Sequence, residues 1–285
     1  MASMRDIRRR IKTVRNIQQI TKALKMVAVA RLQKAQSKAA AARPYADEMI
    51  AVLGQLASAG GEIQHPLLAI REPNTIGIIV ITSDRGMSGS YNTNIIRKVT
   101  EMIHKYGNNH VKLVTIGKKG RNFFAKRGFD IIADFPMPTS EVAMADARAV
   151  SARIKELFAA AEFDLVRIVY THFVSALTQR VMDLQLLPVA RPKGDEHAKV
   201  EDFIFEPSPH ELLGSLLPRY VDTQIYRAML DSLASEFGAR MTAMTSATEN
   251  ATEMIDRLTL DLNRARQAAI TRELAEIVGG AEALK

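Results

Sequence analysis

The hydrophobic positions toward the C-terminus repeat at alternating steps of four and three residues. Between Arg219 and Val278 the sequence has no proline and a single glycine, Gly238. The repeating apolar or small positions are Phe237, Met241, Met244, Thr248, Ala251, Ile255, Leu258, Leu262, Ala265 and Ala269. This heptad pattern predicts a long helix that packs along one face against a partner helix. At ~1.5 Å per residue the stretch spans roughly 90 Å, which exceeds the diameter of a compact domain.

A second long helix is predicted at the other end of the chain, from about Ser3 to about Leu56. Ser3 and Asp6 have the spacing of a capping box, with Asp in place of the usual Glu or Gln. A run of apolar residues then recurs at steps of mostly three and four, namely Ile7, Ile11, Val14, Ile17, Ile20, Leu24, Val27 and Leu32. Pro44 is of a type that kinks or breaks helices, and Gly60-Gly61 is expected to end this one. Because a domain separates the two helices in sequence, they can pair antiparallel.

The middle of the chain alternates between strand and helix patterns. Strands are predicted at 75–82, 111–117, 130–135, 164–173 and 181–190, and helices at 91–106, 118–127 and from Thr139 or Ser140 to about 161. The last two strands have no helix between them, which favours a hairpin at an antiparallel edge. The fold class is therefore α/β: a long antiparallel coiled coil plus a Rossmann-like, mostly parallel α/β domain. The predicted domains are 1–58 (N-terminal coiled-coil helix), 74–190 (α/β domain), 191–210 (connector, with a strand candidate at 203–205) and 211–285 (C-terminal coiled-coil helix).

The charge is concentrated on the N-terminal helix. The chain has a net charge of +8, and residues 1–43 hold twelve of its 39 basic residues but only one of its 31 acidic ones, Asp6. An acidic partner is expected for such a helix: a protein surface, nucleic acid or anionic lipid. The absence of cysteine excludes disulfides, thiolate metal sites and cysteine nucleophiles. No apolar run approaches the ~20 residues that a membrane-spanning helix needs.

Candidate catalytic chemistry is sparse. The glycine-rich segment at 83–92, SDRGMSGSYN, joins the first predicted strand to a helix, where backbone N–H groups can hold a phosphate. It matches neither GxGxxG nor a P-loop, so a tight structural turn is the favoured interpretation. The six histidines show no metal-ligand spacing. A nucleic-acid role for the basic helix stays open, although no helix-turn-helix or basic-zipper layout accompanies it.

Four segments carry a resemblance to a known family. They are SMRDIRRRIK at 3–12, NIQQITKALKMVA at 16–28, ITSDRGMSGSYN at 81–92 and ITRELAEIVGGAEA at 270–283. In this order they resemble the γ subunit family of F-type ATP synthases. The chain departs from the common family form at Ser88, where many members have Cys, and at Ser90, often Gly. It has no cysteine-containing insert of the chloroplast redox type, so thiol regulation is not expected.

The resemblance implies a non-catalytic rotor subunit, the central stalk. Its paired helices would run through a hexamer of α and β subunits, and its foot would contact the ε subunit and the membrane c-ring. Ion-driven rotation of the ring would then cycle the β subunits through ATP synthesis or hydrolysis. No cofactor is expected on this chain, since Mg-ATP and ADP would bind to α and β. No nucleic-acid partner and no direct insertion into the bilayer are expected. The starting sequence MAS resembles bacterial members without a transit peptide, which implies a peripheral protein on the cytoplasmic side of the bacterial cell membrane.

The resemblance also assigns residues. Lys25, Met26 and Val27 would lie near the lever loops of β, and Arg266 with Gln267 would make a polar contact with a β loop. Tyr220 and Asp222 are candidates for contact with the rotor ring or ε. The expected seam of the coiled coil includes Ile11, Val14, Leu24, Met244, Ile255, Leu258 and Leu262.

Overall fold

The structure, a computed structural model, describes residues 4–59, 65–190 and 208–282. Its helices are α1 (Met4–Ala59), α2 (Tyr91–Tyr106), α3 (Lys118–Ala125), α4 (Met144–Ala159) and α5 (Pro209–Glu282). Its strands are β1 (Ile76–Ile81), β2 (Val111–Ile116), β3 (Ile131–Phe135), β4 (Leu165–Phe173) and β5 (Gln179–Leu187), with 3₁₀ turns at Pro66–Leu68 and Asn108–His110. The predicted Ser3 cap, the Gly60-Gly61 stop and the strand candidate at 203–205 lie outside the described residues.

The chain divides into two compact units. One comprises residues 1–27 and 241–285, and the other comprises residues 28–240. Helices α1 and α5 each contribute to both units, and each contains a proline, Pro44 and Pro218 respectively, inside its helical bounds. Pro44 therefore does not end the first helix.

The five strands of the second unit form one sheet in the order β3-β2-β1-β4-β5. Strands β1, β2, β3 and β4 are parallel, and β5 pairs antiparallel with β4 as a hairpin. The predicted Rossmann-like, mostly parallel fold is thus confirmed. All six residues of β1 are buried, as expected for a continuous apolar run in a central parallel strand.

Helix α2 packs its apolar face on this sheet. Ile95, Val99 and Ile103 recur at four-residue steps and are fully buried, in a cluster with Val80 and Phe124. The next long helix begins later than predicted. It starts at Met144 and not at Thr139 or Ser140, because the cap is made by Asp146, whose Oδ2 accepts the N–H of Ala143 at 2.8 Å.

The first unit is an antiparallel pair made by the start of α1 and the end of α5. Gln18 Nε2 donates to Thr252 Oγ1 at 2.7 Å, and the hydroxyls of Thr21 and Thr248 are 2.8 Å apart, so the chain positions run in opposite directions. The buried face of α1 runs through Ile7, Ile11 and Thr21. The expected stripe was wrong at Ile17, Ile20 and Val27, which are 48%, 59% and 49% exposed. Seven-residue steps from Ile7 lead to the polar Thr21, and a seven-residue step from Ile11 leads to the polar Gln18, so the heptad face bypasses these apolar neighbours.

Candidate partner-binding surfaces

The three residues assigned to the lever-loop contact form an outward-facing turn of α1. Met26 is 62% exposed and Val27 is 49% exposed, while Lys25 is partly buried. Exposed methionine and valine beside a lysine provide an apolar contact with one positive charge. Such a turn can bind a partner helix or loop that offers an apolar side chain and a carboxylate.

The basic residues of α1 fall into two groups. Farther along the helix, Lys34 and Lys38 both form ion pairs with Glu141, and Arg31 donates to the carbonyl of Thr139 at 2.6 Å. These charges serve contacts inside the second unit. At the start of the helix, Arg8, Lys12 and Arg15 line a groove of about 510 Å³ together with Ile11, Asn16, Gln19, Thr259 and Leu262. Among the described residues, those three cations form no ion pair, so their charge is available to an acidic partner.

The C-terminal end of α5 presents a second exposed surface. Arg266 and Gln267 both lie on its solvent side, as does Ile270 at 45% exposure. Beyond them, exposed apolar side chains continue with Leu274, Ile277 and Val278. We did not predict these three from the sequence. The available signal was apolar residues that continue past the last seam position, Ala269.

The predicted seam residues lie at the less exposed positions of the helix pair. Ile11 and Met244 are buried. The others are partly buried: Val14, Leu24, Ile255, Leu258 and Leu262. The two hydroxyl-mediated contacts at Thr248 and Thr252 lie on the same face of α5, so the pairing surface combines apolar and polar side chains.

Tyr220 and Asp222 do not behave alike. The carboxylate of Asp222 is held by Lys155 of α4, with Nζ and Oδ1 2.8 Å apart and both side chains mostly buried. Tyr220 is partly buried, and this burial raises the pKa of its hydroxyl. The carboxylate of Asp222 thus has an ion-pair partner within the chain, whereas the side chain of Tyr220 is partly exposed and can contact a partner subunit.

The glycine-rich loop after β1 is filled by its own hydrogen bonds. Asn92 Oδ1 accepts the N–H of Ser83 at 3.0 Å, and Asp84 Oδ1 accepts the N–H groups of Lys118 and Met137 at 3.0 and 3.3 Å. Gly117, at φ 97°, approaches so closely that a Cβ there would lie 2.1 Å from the carbonyl oxygen of Thr82. These contacts join the ends of β1, β2 and β3 and support the interpretation of this segment as a structural turn.

The loop also contacts α5. Arg240 donates to the carbonyl of Gly86 at 3.2 Å and to Glu236 Oε1 at 2.6 Å. Burial raises the pKa of Glu236, and the adjacent Arg240 guanidinium opposes that shift. Within the described ranges, no group of three His, Cys, Asp or Glu side chains could hold a metal ion. The helices of those same ranges include no segment with the length and hydropathy of a membrane span.

Comparisons with known proteins agree with this arrangement. The profile of the family described as ATP synthase matches residues 3–284. The ATP synthase gamma chain of Heliobacterium modesticaldum is 50% identical over 291 residues, and that of Desulfitobacterium hafniense is 50% identical over 285 residues. The gamma chain of Pelotomaculum thermopropionicum is 46% identical over 285 residues. Each comparison covers 100% of both chains.

Solved structures show the same fold at lower identity. A chain of the rotor of the Euglena gracilis mitochondrial ATP synthase matches with a TM-score of 0.68 at 18% identity, covering 94% of this chain and 98% of that one. A chain of the central stalk and c-ring assembly of the Tetrahymena thermophila enzyme matches with a TM-score of 0.62 at 24% identity, covering 80% and 99%. Full-length identity near 50% to the bacterial gamma chains decides the assignment: the chain belongs to the family of the γ subunit of F-type ATP synthase.

Proposed function

We propose that this chain is the rotating central stalk of a bacterial F1Fo ATP synthase. It couples ion-driven rotation of the membrane c-ring to the conformational cycle of the catalytic β subunits, and it performs no bond chemistry itself. The observation that carries this proposal is the antiparallel helix pair, whose outer face has exposed apolar side chains and cations that form no ion pair with any other described residue. Gamma-chain relatives and rotor neighbours support the same role.

The two exposed surfaces support contacts with the β subunits. Lys25, Met26 and Val27 would contact an acidic lever loop of β, and Arg266 with Gln267 would contact a second β loop nearer the end of α5. An exposed ion pair contributes only about 0–1 kcal/mol, so no single charge can transmit the torque of synthesis. Coupling is therefore distributed over the shape and stiffness of the helix pair, with the charges adding to it.

The proposed contact with ε or the c-ring involves the second unit. Tyr220 is the better candidate for contact with ε or the c-ring, because Asp222 already has a partner in Lys155. Mg-ATP and ADP would bind on the α and β subunits and not here. The chain would lie at the cytoplasmic side of the membrane as a peripheral protein, without contact with nucleic acid.

Two other classes remain distinguishable. A nucleotide-dependent enzyme would use the loop after β1, but that loop is closed by its own hydrogen bonds. A basic nucleic-acid binder would show affinity that falls steeply with salt concentration. Equilibrium binding of nucleotide, and of DNA at two salt concentrations, to the isolated chain tests both classes.

The decisive experiment is reconstitution. The chain is mixed with α and β subunits of a bacterial F-type enzyme, and the purified complex is assayed for ATP hydrolysis and for rotation of a bead attached to this chain. The proposal predicts a stable complex whose bead rotates when ATP is added. A complex that hydrolyses ATP without moving the bead would refute the rotor role.

A further inference from the structure

Strand β4 extends past its neighbour β1. The pairing of β1 with β4 ends at Val80 and Val169, whereas β4 continues to Phe173 and pairs with β5 along that whole length. From Tyr170 onward, one edge of β4 therefore has no strand of the described residues beside it. Unpaired backbone groups at such an edge need another partner when they are buried, and Thr171 is only 3% exposed.

Helix α5 supplies that partner through two serines. The N–H of Thr171 donates to Ser232 Oγ at 3.4 Å, and Ser235 Oγ donates to the carbonyl of Thr171 at 3.0 Å. Both serines are fully buried. Their hydroxyls thus take the positions that the N–H and C=O groups of a neighbouring strand would take.

A third contact lies directly beside these two. Asp231 Oδ2 is 2.6 Å from His172 Nδ1, and the Asp231 side chain is only 5% exposed. Ser235 lies four residues after Asp231 and three after Ser232, so each of the two is a same-face neighbour of Ser235 on the helix. We call these three residues, with Thr171 and His172, the β4–α5 joint.

The joint lies in the part of α5 that is buried all round. Every residue from Ala228 to Gly238 is buried, although this segment includes polar side chains. An apolar surface alone would allow the helix to slide or turn against the sheet. Hydrogen bonds from buried side chains to a strand backbone have defined directions, and breaking one leaves buried polar groups unsatisfied.

The geometry points to a mechanical role for this joint: it fixes the buried segment of α5, residues 228–238, to the sheet, so that this segment and the sheet turn together. Ser232 and Ser235 act as positioning residues, because their hydroxyls bond the N–H and the carbonyl of Thr171. This inference rests on the proposed rotor function and adds to it the place where torque passes between the helix and the sheet.

The test uses the complex of this chain with α and β subunits. Because the chain has no cysteine, Asn109→Cys gives it a single thiol, on an exposed turn of the α/β domain, to which a bead can be attached. The width of the bead's angular fluctuations at rest reports torsional stiffness between the catalytic subunits and the α/β domain. We expect Ser235→Ala, and more so the double variant with Ser232→Ala, to widen these fluctuations while the rate of ATP hydrolysis is unchanged.

A matched control is Thr223→Val. Thr223 is also a buried hydroxyl residue of α5, but its Oγ1 donates to the carbonyl of Arg219 within the same helix. Fluctuations of wild-type width in both serine variants, or equal widening in the Thr223 control, would overturn the inference. A wild-type complex whose bead does not rotate refutes the rotor role itself. The fluctuation widths are measured at rest, so they test the joint separately from that role.

A second measurement covers the case in which the variants fail to assemble. In the full chain, Ser232→Ala removes the acceptor for the Thr171 amide, and the hydrogen-exchange rate of that amide should rise by roughly fivefold, since one hydrogen bond is worth ~1 kcal/mol net. The Thr223 control should leave that rate unchanged. Unaltered exchange at Thr171 in the Ser232 variant would show that the helix does not close this edge, and the joint would be refuted.

Discussion

Two methionines of α5 allow the same substitution to be compared at a buried and at an exposed position of the helix pair. Met244 is 6% exposed, whereas Met254, ten residues later on the same helix, is 52% exposed. Replacing each by alanine removes the same atoms and changes the helix propensity equally, so the difference between the two variants isolates burial. A buried Met→Ala substitution costs about 2–5 kcal/mol, and a two-helix seam that can relax inward favours the lower end, about 2–3 kcal/mol. An exposed one stays within about 0.5 kcal/mol.

The measurement is hydrogen exchange of backbone amides between residues 244 and 258 in the full-length chain. Exchange reports the local free energy of opening, so it separates the helix pair from the second unit. Met244→Ala should lower that free energy by roughly 2 kcal/mol more than Met254→Ala does. Equal losses in the two variants would mean that the helices do not pack along the face assigned to them.

The remaining predictions concern coupling, assembly and pH. Lys25→Ala and Arg266→Ala should each reduce ATP-driven proton pumping only in part, because an exposed pair contributes about 0–1 kcal/mol; pumping and hydrolysis are measured on the same vesicles. Leu258→Asp should lower the yield of complex with α and β, since it puts a carboxylate into a partly buried apolar position. Lys112 donates to Glu162 Oε2 at 2.7 Å, and that hydrogen bond lowers the pKa of Glu162. Lys112→Gln should therefore raise the pKa of Glu162 in an NMR titration.

Each of these three has its own contrary outcome. Complete uncoupling by Lys25→Ala alone would argue against distributed coupling. Leu260 is 59% exposed, so Leu260→Asp serves as the control for Leu258→Asp, and a similar yield from both would count against the seam. For Glu162, a lowered folded pKa gives stability that is present above the ordinary carboxyl pKa and is lost as the pH falls through the folded value. If the pKa of Glu162 were the same in the Lys112→Gln variant, Lys112 would not be the cause of the lowered pKa or of the stability that comes with it.

The fold was predictable from the sequence because its signals are periodic. The all-apolar segment that became β1 indicated a central parallel strand, and the missing helix between β4 and β5 indicated the hairpin. The stripe on α1 was harder to read. Ile17, Ile20 and Val27 are apolar but exposed, and hydrophobicity alone cannot separate side chains kept for a partner from side chains that pack in the same chain.

The contacts between α5 and the α/β domain could not be derived in the same way. Asp231, Ser232 and Ser235 are polar residues in a helix, which in a sequence suggests a solvent-facing side. Their contacts depend on an edge of β4 that β1 does not cover. That edge exists because the pairing with β1 ends at Val169, four residues before the end of β4 at Phe173. Such a relation between distant segments has no local sequence signal.

The polar contacts inside the helix pair fix its alignment along the axis. Gln18 pairs with Thr252, and the hydroxyls of Thr21 and Thr248 meet in the middle of an otherwise apolar face. A slip of one heptad would bring Thr21 opposite Ile255, which has no polar side-chain atom, or opposite Met241, whose thioether sulfur is only a weak acceptor. Such a slip moves one helix along the other by roughly 10 Å. The polar contacts at these two levels therefore permit a single alignment of α1 and α5 along the axis of the pair, and that alignment sets how far the end of α5 extends beyond the start of α1.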